Sequence, residues 1–139
     1  DHQVRFFSID GSHLAEATYR DMKLAHASLA DGGIVVIDDY FAEGFPGVSE
    51  GVQRFFSEQD VLCSTSHAEP IRPFLVGYNK VYFAHEAFVE TYQEAVYARL
   101  SVIGDSYMHV GTKWMLGSPI LLLTETINVY KPQREPLPP

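Results

Sequence analysis

Asp10, Asp38 and Asp39 are the residues whose type and spacing could do chemistry, because each ends an apolar run that reads as a β-strand. Val4-Arg5-Phe6-Phe7-Ser8-Ile9 leads into Asp10, and the four β-branched residues Ile34-Val35-Val36-Ile37 lead into the acidic pair. In an open parallel sheet, ligands collect at the carboxyl ends of the strands, where loops diverge and helix N-termini supply partial positive charge. Carboxylates gathered there repel one another unless a cation or protons intervene, and an oxygen-only ligand set suits a hard ion such as Mg²⁺ better than zinc. A magnesium site at Asp10, Asp38 and Asp39 is therefore one reading. The other is local: Asp10 caps the helix that follows, and Asp38 and Asp39 accept hydrogen bonds from amides at a turn.

The elements that must position these carboxylates can be read from the spacing of apolar residues. Asp10-Gly11-Ser12-His13 carries turn and capping chemistry, and Leu14, Ala17, Met22, Ala25 and Leu29 then recur at helical spacing. Asp31-Gly32-Gly33 is expected to stop that helix, since glycine takes the left-handed conformation that ends one. Two apolar strands joined by such a helix pair in parallel, which sets Asp10 beside Asp38, with both strands mostly buried. Further on, Pro46-Gly47 opens a second helix through Val48, Val52, Phe55 and Phe56, and Ser57 to Pro73 reads as a polar surface stretch. Phe74 to Phe83 reads as one or two strands with a glycine irregularity, and Glu86 to Leu100 as a helix. Trp114 to Leu116 and Pro119 to Thr124 read as closing strands. One domain over residues 1–130 and a proline-rich tail over 131–139 are expected.

Composition narrows the function. The chain has 139 residues, enough for one cored domain, and its net charge of −8 comes with no basic stripe, which argues against nucleic acid as a partner. Apolar runs such as Ile120 to Leu123 fall far short of the roughly 20 residues that span a bilayer, so no membrane partner is expected. The single cysteine, Cys63, rules out an intrachain disulfide framework and a cysteine-built zinc cage, and suits a reducing, cytoplasmic compartment.

Phe7-Ser8-Ile9-Asp10-Gly11-Ser12-His13, Asp21-Met22-Lys23-Leu24, the segment Leu29-Ala30-Asp31-Gly32-Gly33-Ile34-Val35-Val36-Ile37-Asp38-Asp39-Tyr40, and Pro46-Gly47-Val48 together carry a resemblance. They resemble the second half of a class I S-adenosylmethionine-dependent methyltransferase, and in particular bacterial O-methyltransferases that modify sugars and other natural products. The resemblance covers Val4 to about Phe56. It implies an α/β fold, a Rossmann-like sheet of which this chain holds the C-terminal portion, strands four to seven, with the N-terminal cofactor half absent. It implies S-adenosylmethionine as cofactor, touched here by Asp10, Gly11 and Ser12, and Mg²⁺ at Asp10, Asp38 and Asp39. It implies that His13 takes the proton from the accepting hydroxyl of a small molecule. That role suits a histidine at the start of a helix, where the macrodipole favours the neutral ring, although a capping or loop histidine would sit there too. The glycine-rich loop and the ribose-binding acid of such enzymes do not occur ahead of Asp10, so a homo-oligomer or a missing N-terminal portion is expected to complete the site.

Other residues carry weaker signals. Tyr40, Phe41 and Phe45 flank the presumed site and could wall an acceptor ring, Tyr40 foremost; equally, aromatic loops pack as lids. Asn79-Lys80 reads as strand surface, His26 as a surface residue on the first helix, and Cys63 as an ordinary thiol. His67, His85 and His109 show no metal-ligand spacing. A metal-dependent nucleotide-sugar transferase and a catalytically silent assembly module remain as alternative functions.

Overall fold

A computed structural model describes residues 4–66, 69–103 and 108–125. The elements in chain order are β1 (Val4–Ile9), α1 (Ala15–Ser28), β2 (Leu29–Ile37), α2 (Pro46–Ser66), β3 (Ile71–Gly77), β4 (Lys80–His85), a 3₁₀ turn (Glu86–Phe88), α3 (Val89–Ile103), β5 (Met108–Met115) and β6 (Ser118–Glu125). The six strands form one mixed sheet in the order β1-β2-β4-β3-β6-β5. The α/β class and the parallel pairing of β1 with β2 are as expected, with Ile9 opposite Ile37. β4 runs antiparallel to both β2 and β3, and β6 runs parallel to β3, so β1, β2, β3 and β6 all present their carboxyl ends at one rim.

Several expectations change. The glycine pair does not stop α1. The helix ends at Ser28, and Gly32 (φ +67) lies inside β2, where an irregularity puts Leu29 opposite Val4 and Ile34 opposite Phe6. Five residues of β2 there span two of β1, and glycine tolerates the required backbone. Among the described residues β1 pairs with β2 alone, and Arg5, Phe6 and Ser8 are exposed on it, so it is not the mostly buried strand that its apolar run suggests. α2 continues to Ser66, well into the stretch read as surface. Its polar residues hid this, because Gln59 is fully buried and its side-chain oxygen accepts a hydrogen bond from the Ile71 amide at 2.9 Å. The segment Phe74 to Phe83 is a hairpin turning at Tyr78 (φ 53) and Asn79 (φ 65), the left-handed pair of a two-residue type I′ turn. β5 and β6 turn in the same way at Leu116 and Gly117, so Leu116 is a turn residue rather than part of a strand. The tail 131–139 lies outside the described residues.

Alternate strand residues face opposite sides, and two clusters result. Met22 and Ala25 of α1, and Val52 and Phe55 of α2, cover one face of the sheet with Val35, Ile37, Val81, Phe83 and Ile120. α3 covers part of the other face through Tyr92 and Val96, packed against Phe74, Leu75, Ala84 and Leu121. Burying a side chain such as Phe55, which is fully shielded, is worth about 1.5–3 kcal/mol. α2 crosses the start of α1 closely: a Cβ on Gly47 would lie 2.5 Å from the His13 carbonyl oxygen, and one on Gly51 would lie 2.5 Å from that of Ala15. Among the described residues no helix is long and apolar enough to cross a membrane.

Candidate functional site

The parallel pairing of β1 with β2 carries Asp10 and the acidic pair to the same rim, and the Asp38 amide donates to the Ile9 carbonyl at 3.0 Å. His13, two residues ahead of α1, turns back toward them with a left-handed backbone (φ 48), and Asp39 opposite is left-handed as well (φ 57). Such conformations are uncommon away from glycine and persist where surrounding contacts hold them. Here the ring of Phe45 stacks on His13 with centroids 4.0 Å apart. His13 Nε2 lies 3.2 Å from Asp39 Oδ2 and 3.9 Å from Asp10 Oδ1. That nitrogen is shielded from solvent yet has no aligned hydrogen-bond partner.

Asp10, His13 and Asp39 thus offer ligand atoms that all lie within 4.8 Å of one another. Asp38, the remaining expected ligand, does not join them. Its carboxylate pairs with the Lys80 ammonium, which holds the Asp38 pKa below the usual carboxylate value and raises that of Lys80. The Asp38 side chain also accepts a hydrogen bond from the Asp39 amide at 2.9 Å. Asp10 is exposed, Gly11 and Ser12 lie in the loop after it, and Leu14 rather than Asp10 occupies the cap position of α1, without a side-chain cap bond. Tyr40 is partly buried against the core, and burial raises its pKa.

Sequence reasoning missed the residues that hold this arrangement. Lys80 is no idle surface lysine, since it fixes Asp38. Asn79 donates from Nδ2 to Asp39 Oδ1 at 2.8 Å, accepts at Oδ1 from the Phe41 amide at 3.0 Å, and accepts at its carbonyl from the Tyr40 amide at 3.2 Å. The available signal was Tyr78-Asn79 between two apolar runs, a hairpin turn whose asparagine must land beside a neighbouring strand end. His26 is buried rather than on the surface: Nε2 lies 2.7 Å from the Glu69 carbonyl oxygen and the ring meets Phe55 edge-on. His67 lies outside the described residues, as does the side chain of His109.

Residues 1–40 match the family model described as a methyltransferase domain. The matched segment runs through β1, α1 and β2 and ends one residue past Asp39, so it contains the whole Asp10, His13 and Asp39 group. The match supports a methyltransferase, and the six-stranded mixed sheet is consistent with a Rossmann-like methyltransferase fold. Among curated proteins, none matches the chain.

Proposed function

We propose that the chain supplies the acceptor side of an S-adenosylmethionine-dependent O-methyltransferase, with β1 to β4 as strands four to seven, the C-terminal part of a Rossmann-like sheet. Its substrate is a hydroxyl of a sugar or other natural product. The observation that carries this reading is the meeting of Asp10, His13 and Asp39 at one rim, with an unpartnered His13 nitrogen between the carboxylates. A hydroxyl is a poor nucleophile at neutral pH, and a base within hydrogen-bond reach lowers the cost of making it one. His13 takes that proton at Nε2. Asp39 Oδ2, 3.2 Å from that same nitrogen, attracts the positive charge that develops on the ring as the proton arrives. Phe45, stacked on the same ring, limits its rotation and keeps water from one face.

Asp10, Gly11 and Ser12 are the residues of this chain that would touch S-adenosylmethionine, which supplies the sulfonium methyl group. The hard oxygens of Asp10 and Asp39 also fit a divalent cation. Asp10 and Asp39 would hold Mg²⁺, with Asp38 as a third ligand on release from Lys80, and the ion when bound eases loss of the hydroxyl proton.

Methyl transfer from labelled S-adenosylmethionine to a panel of hydroxylated acceptors tests the reading. His13→Gln should lower turnover by about 10²–10⁴-fold, the usual worth of a positioned base, while leaving S-adenosylhomocysteine binding as it was. Undiminished turnover in that variant would remove His13 from the chemistry. A stable oligomer with no affinity for S-adenosylhomocysteine would point instead to an assembly module.

A further inference from the structure

The β2–β4 register decides more than the shape of the sheet. Ile34, Val35, Val36 and Ile37 stand opposite Ala84, Phe83, Tyr82 and Val81, so the next step of the antiparallel ladder brings Asp38 opposite Lys80. The Tyr40 amide donates to the Asn79 carbonyl at 3.2 Å, which keeps the two segments together past the last paired residues. Opposite charges that meet across a ladder attract, and Lys80 Nζ donates to Asp38 Oδ2. The other oxygen is also taken: Asp38 Oδ1 accepts from the Asp39 amide at 2.9 Å.

Asp39 is held by the residue next to Lys80, and differently. Asn79 is neutral, and its Nδ2 donates to Asp39 Oδ1 at 2.8 Å, leaving Oδ2 to face His13 Nε2 at 3.2 Å. Asp10 Oδ1 lies 3.9 Å from the same nitrogen, and Asp38 stands outside the group that Asp10, His13 and Asp39 form. Two consecutive residues thus sort the acidic pair. A neutral amide holds one carboxylate and a cation holds the other.

We propose that Lys80 acts as an internal rival to a divalent cation: by holding Asp38 it limits the rim to the carboxylates of Asp10 and Asp39, and so sets how tightly the chain holds the ion. This rests on the reading that Asp10 and Asp39 hold such an ion, and adds what regulates the holding. Hard cations bind more tightly as charged oxygens are added to the ligand set, so a rim short of one carboxylate is a weak, exchangeable site. Both partners of the Lys80–Asp38 pair are partly open to water, where an ion pair is worth little, so a plentiful ion can still draw Asp38 away.

Mn²⁺ binding to the full chain, followed by electron paramagnetic resonance without cofactor or acceptor, tests this. Lys80→Met should bind Mn²⁺ several-fold more tightly than the parent, and adding Asp38→Asn should cancel that gain. Lys80→Arg keeps the charge and should stay near the parent. The gain should also survive about 1 M KCl, where charges are screened beyond about 3 Å, because a ligating carboxylate escapes that screening and one acting through its field alone does not. Circular dichroism checks folding, and Lys80→Gln carries the same comparison should Lys80→Met fail to fold. No gain on removing the ammonium, a gain that persists with Asp38→Asn, or one that vanishes at high salt overturns the proposal. Failure of Mn²⁺ to bind any of these chains overturns it too, and methyl transfer observed alongside would leave the methyltransferase reading standing. The full pattern with no methyl transfer to any acceptor would support the role of Lys80 and sink that reading instead.

Discussion

The two halves of the sheet contribute different things to the rim. The first half, β1 to β2, carries the groups that can do chemistry, Asp10, His13 and Asp39, on a parallel crossover. The second half, from β3 onward, carries none of them, yet its β3–β4 turn supplies Asn79 and the start of β4 supplies Lys80, which decide where Asp39 and Asp38 point. Two carboxylates adjacent in sequence are thereby given different partners, Asp39 facing His13 and Asp38 tied to Lys80. Reactive groups and the groups that aim them lie about 40 residues apart in the chain, as the separations of the Asn79–Asp39 and Lys80–Asp38 contacts show.

That division can be broken at its joints. By freeing Asp39 and the Phe41 amide, Asn79→Ala should cost about 10–100-fold in the proposed methyl transfer, as loss of an orienting partner does. A loss confined to kcat, with S-adenosylhomocysteine affinity intact, would mark it as positioning; full activity would show that β1 to β2 aim themselves. Lys80→Met should act in the opposite sense by releasing Asp38 to the rim. Mn²⁺ affinity measured by electron paramagnetic resonance should then rise several-fold as a third carboxylate joins the set, and a fall would show that Lys80 supports the site rather than competing for it.

The smallest effect concerns the seam between the halves. His85 at the end of β4 is buried, and burial, with repulsion from His26 on α1, holds its pKa below the ordinary histidine value. The unfolded chain therefore binds the proton more readily than the folded one. The stability tied to His85 is complete above a pH of about 6.5 and is lost as the pH falls through that value toward the lower folded pKa. Thermal unfolding should shift downward by a few degrees between neutral and mildly acidic pH, and His85→Gln should flatten that dependence. The Asp38–Lys80 pair contributes to acid loss only at lower pH, because a depressed carboxylate pKa yields its stability below the usual carboxylate range.

The same division explains what could be read from the sequence. β1, α1 and β2 were legible because their signals are local: a β-branched run, apolar residues at helical spacing, and a short link that forces parallel pairing. The pairing alone brings Asp10 and the acidic pair to one rim, with Asp38 the expected neighbour of Asp10. The fate of Asp38 does not follow from it, since that depends on β4 inserting antiparallel next to β2, a partnership that no local pattern announces. Gln59 and His26 misled for a related reason. Polar side chains read as surface until the particular backbone groups that satisfy them, the Ile71 amide and the Glu69 carbonyl, are known. Gly32-Gly33 carried a true signal for unusual backbone, but the irregularity serves a strand rather than a helix end.

The bare Cα at Gly47 ties helix crossing to the placement of His13. With only a hydrogen on that carbon, α2 can press against the peptide that carries the imidazole, and even one added methyl group would have to push the His13 carbonyl aside. An alanine at residue 47 would therefore act as a wedge, spoiling the aim of the imidazole while leaving every side chain of the rim in the chain.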